Sequence, residues 1–220
     1  MRVFLIAFGA FIALMVIVYG SLFQLDVLPR VALAPGWALE ANQGQRLTSD
    51  DLRGKITIYT FSYTRNQHPL RRPEPVLQEL QHRLADDTSI ETPVRFLTVT
   101  IDPEHDTPEA IRQTTDLLDA DPDQWWWLRG DPGATEALVR EGFGVFYRRQ
   151  NDGSFQFDPV FVVVDGTGVI RARYRFGIPE AETLMKDIRS LTREARAANG
   201  TARLAYEAAH LFSCYSRTNL

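Results

Sequence analysis

From Trp37 onward, short apolar runs alternate with stripes of apolar residues at helical spacing. The run Ile56 to Phe61 in "DLRGKITIYTF", entered after a turn at Gly54, and the run "PVRFLTVTI" are β-branched and apolar at both parities. Such runs suit strands buried on two faces. Between them "EPVLQELQHRL" sets Val76, Leu77, Leu80 and Leu84 on one helical face, which predicts a βαβ crossover and a parallel strand pair. "DTPEAIRQTTDLL" opens a helix with Asp106 or Thr107 as cap, Pro108 at the first helical position and Glu109 in the first turn. "GDPGATEALVREGFG" repeats the device with Asp131 and Pro132 and stops at Gly142 or Gly144. "FDPVFVVVDGTGVIRARYRF" predicts an antiparallel hairpin turning through Asp165, Gly166, Thr167 and Gly168, and "IPEAETLMKDIRSLTREARAAN" predicts a closing helix stopped by Asn199 and Gly200. The order βαβαβαββα predicts an α/β fold with a mixed central sheet flanked by helices.

The first residues follow a different pattern. Residues 3–19, "VFLIAFGAFIALMVIVY", carry no charge, and "GSLF" extends the run to the length of one membrane-crossing helix. A cleaved signal peptide is the competing reading, but the run is long and no A-x-A-like site follows it. Arg2 is the only cation on the short side, which favours a cytoplasmic N-terminus and a globular part on the extracytoplasmic side of the cell membrane. The expected organisation is a transmembrane anchor in contact with lipid over 1–23, an extended tether over 24–36, a domain over 37–198 and a helical tail over 199–220. In that tail Leu204, Ala208, Leu211 and Phe212 share one helical face. The stripe packs on the domain or on a partner, since either buries it.

Composition narrows the chemistry. The net charge of −4 is spread without a long run of one sign, so no nucleic-acid partner is expected. One cysteine, Cys214, excludes an internal disulfide and any Cys-x-x-Cys pair, and His68, His82, His105 and His210 show no zinc-ligand spacing.

Four blocks in order, "LRGKITIYTFSYT", "VTIDPEHDTPEAI", "WWWLRGDPGATEALVREGFGVFY" and "DPVFVVVDGTGVIRARY", resemble the Sco/SenC family of membrane-anchored, thioredoxin-like proteins. The resemblance implies a thioredoxin-like sheet from about Ile56 to Tyr174, an N-terminal hairpin before it, and a cis bond at Pro159. It also implies copper handling for maturation of a respiratory oxidase, through two cysteines in the loop after the first strand and one histidine ahead of the hairpin strand. In this chain the first cysteine position falls on Asn66, the second on Leu70 or Arg72, and the histidine on Phe157. Copper(I) selects thiolate, thioether and imidazole ligands, which these residues lack. The substitute ligands within reach are His68 in the loop and His105 in "DPEHD", with Asp102, Asp106 or Asp158 beside them.

The expected function is therefore a non-catalytic scaffold, assembly or accessory subunit of a respiratory membrane complex, with no cofactor and a protein partner. The alternative is a copper chaperone or thiol-disulfide reductase for cytochrome c oxidase maturation. In "DQWWWL", strand alternation sends Trp126 opposite to Trp125 and Trp127. The resemblance puts a polar residue at the Trp126 position. Trp126, Leu211 and Phe212 are thus the candidate contact residues, with burial of all three tryptophans under a helix as the competing arrangement.

Overall fold

The structure, a computed structural model, describes residues 27–197 together with Phe8, Gly9, Ile12, Leu204, Tyr206, Glu207 and His210. Most of the apolar run 3–19 lies outside the described residues, and among these no helix is long and apolar enough to cross a membrane.

Every residue of strand β4, Ile56–Ser62, is buried, as its unbroken apolar and β-branched run requires. It pairs in parallel with β5, Val94–Thr100, and antiparallel with β9, Phe161–Val164. β6, Trp125–Arg129, continues the parallel side, and β10, Val169–Tyr174, continues the antiparallel one. N-terminal strands close both edges: β1, Ala32–Leu33, on β10, and β2, Ala38–Ala41, on β6 with β3, Arg46–Thr48, outside it. The sheet order is β1-β10-β9-β4-β5-β6-β2-β3. The expected mixed sheet, parallel pair and hairpins are all present. β7, Tyr147–Arg149, and β8, Phe155–Phe157, form a separate hairpin that the apolar pattern does not reveal.

Helices α1, Glu74–Asp86, α2, Pro108–Leu117, and α4, Ala181–Ala197, flank the sheet. Leu77, Leu80, Ile111, Leu184 and Ile188 from these helices pack with Phe96, Trp125 and Trp127. On the other face Tyr59, Phe61, Leu97 and Leu128 pack with Val139 and Phe143. Between the alternative caps of α2 the structure selects Thr107, which accepts from Ala110 N at 3.2 Å and frees Asp106 for other bonds. Asp131 caps α3, Pro132–Glu136, which widens into a π turn over Ala137–Gly142 before Gly144 takes a φ of +66°. Among the described residues no peptide is cis, so the bond before Pro159 is trans, against the expectation. Trans is the cheaper isomer of an X-Pro bond.

Part of the segment expected as tether is built into the domain. Val27 and Leu28 are buried, and Ala32–Leu33 is β1. A bulge at Arg171 of β10, where Ile170 faces Val164 but Ala172 faces Val163, turns these two residues into opposite cores. The Arg171 side chain is 2 % exposed and meets Asp165 at 2.8 Å and Glu194 at 2.7 Å. It also donates to the carbonyls of Leu28 and Pro29. Glu194 in turn bonds His210 at 2.9 Å, and Arg30 pairs with Glu207 at 3.1 Å, so these two tail residues are tied to the domain, whereas Leu204 of the apolar stripe is exposed.

Removing the cation from this cluster would leave two partly buried carboxylates unbalanced. Arg171→Ala should therefore cost about 3–5 kcal/mol in urea unfolding, whereas Arg175→Ala, on the exposed end of the same chain segment, should stay within about 0.5 kcal/mol. Equal costs would show that the cluster contributes no more than surface charge.

Candidate functional site

β4 delivers Ser62 to the end of the sheet, and the loop 63–73 that follows occupies the place expected for metal ligands. The chain cannot leave a strand buried on both faces without new partners for its polar groups. Tyr63 stays buried, its ring against Phe155 at 5.2 Å and Phe157 at 6.2 Å between centroids. Thr64 donates through its backbone N–H at 3.1 Å and its hydroxyl at 2.6 Å to Asp106, which also accepts from Thr100. Burial pushes the Asp106 carboxyl above the usual range, against the pull of these hydrogen bonds.

Asn66, the first expected ligand position, is 6 % exposed. Its amide donates to the carbonyl of Arg71 at 2.9 Å, makes a long 3.4 Å contact to Ser62 Oγ, and accepts from His68 N at 3.2 Å. Asn66 therefore ties the loop across itself. Ser62 Oγ donates to Glu74 Oε1 at 2.7 Å, and Arg72 Nε lies 3.6 Å from Glu74 Oε2. The latter oxygen is buried without a hydrogen bond. Burial raises the Glu74 carboxyl, and the facing Arg72, 41 % exposed and so partly screened, offsets this only in part. Phe157, the expected histidine position, is buried in the aromatic cluster, and Leu70 is exposed.

The two substitute histidines have different surroundings. His68 Nδ1 accepts from Leu70 N at 3.3 Å, which serves the loop. His105 joins Asp102 and Glu104 in a cluster whose ligand atoms lie within 4.8 Å of one another, and His68 is not part of it. Those carboxylates already have cationic partners: Arg65 reaches Asp102 at 2.5 Å and Arg149 reaches Glu104 at 3.1 Å.

Trp126 lies on the face opposite to Trp125 and Trp127, as alternation predicts, but is half-buried against the core there, while Trp125 and Trp127 are fully buried. Its indole donates to Pro122 O at 2.8 Å, and the Arg95 guanidinium lies 5.4 Å from the ring. Leu211, Phe212 and Cys214 lie outside the described residues. Glu74 was missed from sequence. A glutamate after Pro73 at a helix start looks like an ordinary first-turn acid, and nothing local announces that Ser62 lies above it.

A family model described as SCO1/SenC matches residues 28–193. The chain belongs to the SCO1/SenC family. Among solved structures it is similar to a SCO1/SenC family lipoprotein from Bacillus anthracis, at 20% identity and TM-score 0.64, covering 73% of this chain and 95% of that one. It is similar to BsSco, a member of the Sco family of cytochrome c oxidase assembly proteins, at 17% identity and TM-score 0.67, covering 77% and 99%. It is similar too to Arabidopsis thaliana ScoI with copper bound, at 18% identity and TM-score 0.64, covering 74% and 99%. The comparison with curated proteins gave no match. At these identities the neighbours establish the thioredoxin-like fold. The copper expected of a SCO1/SenC protein does not fit the residues at its three positions here. An amide engaged with the backbone, an exposed leucine or an arginine facing a carboxylate, and a buried phenyl ring are not copper(I) ligands.

The raised Glu74 carboxyl has a pH signature. Folded Glu74 keeps its proton to higher pH than the unfolded chain, so its contribution to stability is full below about pH 4 and is lost as the pH climbs through the raised value. Glu74→Gln cannot ionise and lacks this slope. Urea unfolding should show the variant gaining stability relative to the parent between about pH 4 and about pH 7. Parallel curves would mean that Glu74 is solvated or fully neutralised by Arg72.

Proposed function

We propose that this SCO1/SenC chain is a membrane-anchored, non-catalytic assembly or accessory protein of a respiratory membrane complex, in which the family's metal loop has become structural. The fate of the ligand positions carries this reading. Asn66 bridges the loop, Arg72 faces the buried Glu74, and Phe157 fills the cluster around Tyr63. Asn66 and Phe157 serve the fold where a metal-binding relative needs a soft ligand, and neither Arg72 nor the exposed Leu70, the two candidates for the remaining position, can supply one. With Cys214 as its only cysteine, the chain also lacks the second thiol that disulfide exchange within one chain requires.

The respiratory setting is supported by BsSco, a cytochrome c oxidase assembly protein of the same fold. Membrane association is supported by the lipoprotein from Bacillus anthracis, while anchoring by residues 1–23, with the domain on the extracytoplasmic side, rests on the uncharged run 3–19. Because Val27 is already buried in the domain, an anchor ending at residue 23 leaves residues 24–26 as spacer, a reach of about 10 Å. The domain then works against the membrane surface, within contact distance of the extramembrane parts of an integral complex.

Two measurements test this. The full chain in mild detergent should show no stoichiometric copper(I) binding against a competing chelator, and Asn66→Cys, Arg72→Cys and Phe157→His introduced together should begin to restore it. Tight binding by the unaltered chain, abolished by His68→Ala or His105→Ala, would instead support the copper chaperone. The chain should also be recovered from its own membranes with a respiratory complex. Trp126→Ala, or Leu211→Ala with Phe212→Ala, should lower that recovery several-fold, as truncating apolar anchors at an interface costs about 2 kcal/mol. A chain always recovered alone would sink the accessory role.

A further inference from the structure

Three apolar side chains near the start of the domain lie largely in solvent: Val31 is 53% exposed, Leu33 77% and Leu204 79%. Val31 and Leu33 are two residues apart on an extended segment, so they share a face. Val31 N donates to Ile170 O at 2.8 Å, and Ala32–Leu33 is β1, the outermost strand on its side of the sheet. Arg30, which directly precedes Val31, holds both carboxylate oxygens of Glu207 at 3.1 Å. That ion pair brings Leu204 to the same place. Leu204 and Glu207 are both helical and three residues apart, which makes them neighbours on the helix surface. The side of the tail turned to the domain is marked by buried His210, bonded to Glu194, and by half-buried Tyr206 four residues before it. At 3.6 residues per turn Leu204 stands opposite to Tyr206, in agreement with its exposure.

This edge is the part of the domain that the anchor holds nearest to lipid. With the anchor ending at residue 23, Val27 stands at most about 14 Å from that end, and Val31 at most about 14 Å from Val27. The segment cannot peel off the sheet to lengthen the tether, because Val27 and Leu28 are buried and Arg171 donates to the carbonyls of Leu28 and Pro29. Ala32 faces Ile170, Ile170 faces Val164, and Val164 faces Thr57 of β4. β1 therefore lies at the entry end of β4, and Ser62 with the loop 63–73 lies at the other. A surface tethered this closely meets the bilayer at high effective concentration, so a few apolar side chains that would bind no vesicle by themselves can hold it there.

We propose that Val31 and Leu33 of the β1 edge, with Leu204 of the tail, seat in the headgroup boundary of the lipid bilayer, so that the domain rests on the membrane with the loop 63–73 directed away from it. This rests on the anchoring by residues 1–23 proposed above and adds the face that docks.

The test uses the full chain with Cys214→Ser in phosphatidylcholine vesicles, carrying an environment-sensitive fluorophore on one introduced cysteine at a time: Leu33→Cys, Leu204→Cys, or, as control, Leu70→Cys, 77% exposed in the loop at the other sheet end. Phosphatidylcholine bearing a nitroxide near its headgroup should quench the label at positions 33 and 204 about threefold or more above that at 70. Val31→Ser with Leu33→Ser, both outside the core, should bring the quenching at 204 down to the level at 70. A label at 204 that stays quenched in this variant would show the tail binding alone and overturn the shared face. Equal quenching at 33 and 70 would overturn the docking face, and if the chain still floats with the vesicles the anchor stands. A chain that does not float removes the anchor and the docking together. Energy transfer between labels at 33 that grows with the protein-to-lipid ratio would assign the face to a second copy, and shielding of 33 only in the chain's own membranes would assign it to another protein. Either result overturns lipid as the occupant.

Discussion

A strand with no solvent side governs this structure. All seven residues of β4 are buried, hydrogen-bonded to β5 on one side and β9 on the other, and covered on both faces by separate cores. A register slip would exchange residues between two shaped interiors, so the position at which the chain leaves the sheet is fixed. Ser62 and the loop after it are thereby held at one sheet end. The loops after β5 and β10 and the β7–β8 hairpin converge on the same end, because parallel β5 and antiparallel β9 share the β4 register. The site is a consequence of this topology, and it persists whichever residues the loop carries.

That persistence explains how the family's metal positions could change without loss of the fold. A loop ending in two thiolates and a metal is cross-linked by bonds. Here the same span is closed by the Asn66 amide on the Arg71 carbonyl and by Ser62 and Arg72 on Glu74. Each such contact contributes about 1 kcal/mol, far less than a structural metal, but the buried ends of the loop need no more because β4 and α1 already position them. The network also has a cost. Glu74 Oε2 is buried without a hydrogen bond, and an ionised carboxylate there lacks the donors it would have in water. The loop has exchanged ligand chemistry for a proton-sensitive polar junction.

The sequence made the central sheet legible because its signals are local and agree with the tertiary outcome. The runs at β4, β5 and β9 are too apolar for anything but two-sided burial, and Thr107 and Asp131 cap helices where Pro108 and Pro132 follow them. The β7–β8 hairpin escaped notice because "YRRQNDGSFQF" is polar and its strands are three residues each, although Asn151, Asp152 and Gly153 supply turn chemistry. The ligand positions were legible only through the family resemblance, since no isolated reading of Asn66 or Phe157 marks an altered site.

Arg171 shows where local reading must fail. In "VIRARYRF" the arginines alternate with Ile170, Ala172 and Tyr174, which reads as one basic, solvent-facing row. The bulge between Ile170 and Ala172 breaks that parity, and Arg171 is turned beneath the N-terminal segment while Arg175 remains outside. Nothing within the strand encodes this. The partners that make burial tolerable are Leu28 and Pro29, over 140 residues earlier, and Glu194, 23 residues later. A buried arginine becomes predictable only when its counter-charges are brought to it by other elements, so the most constrained cation in the chain is the one that its own neighbours describe worst.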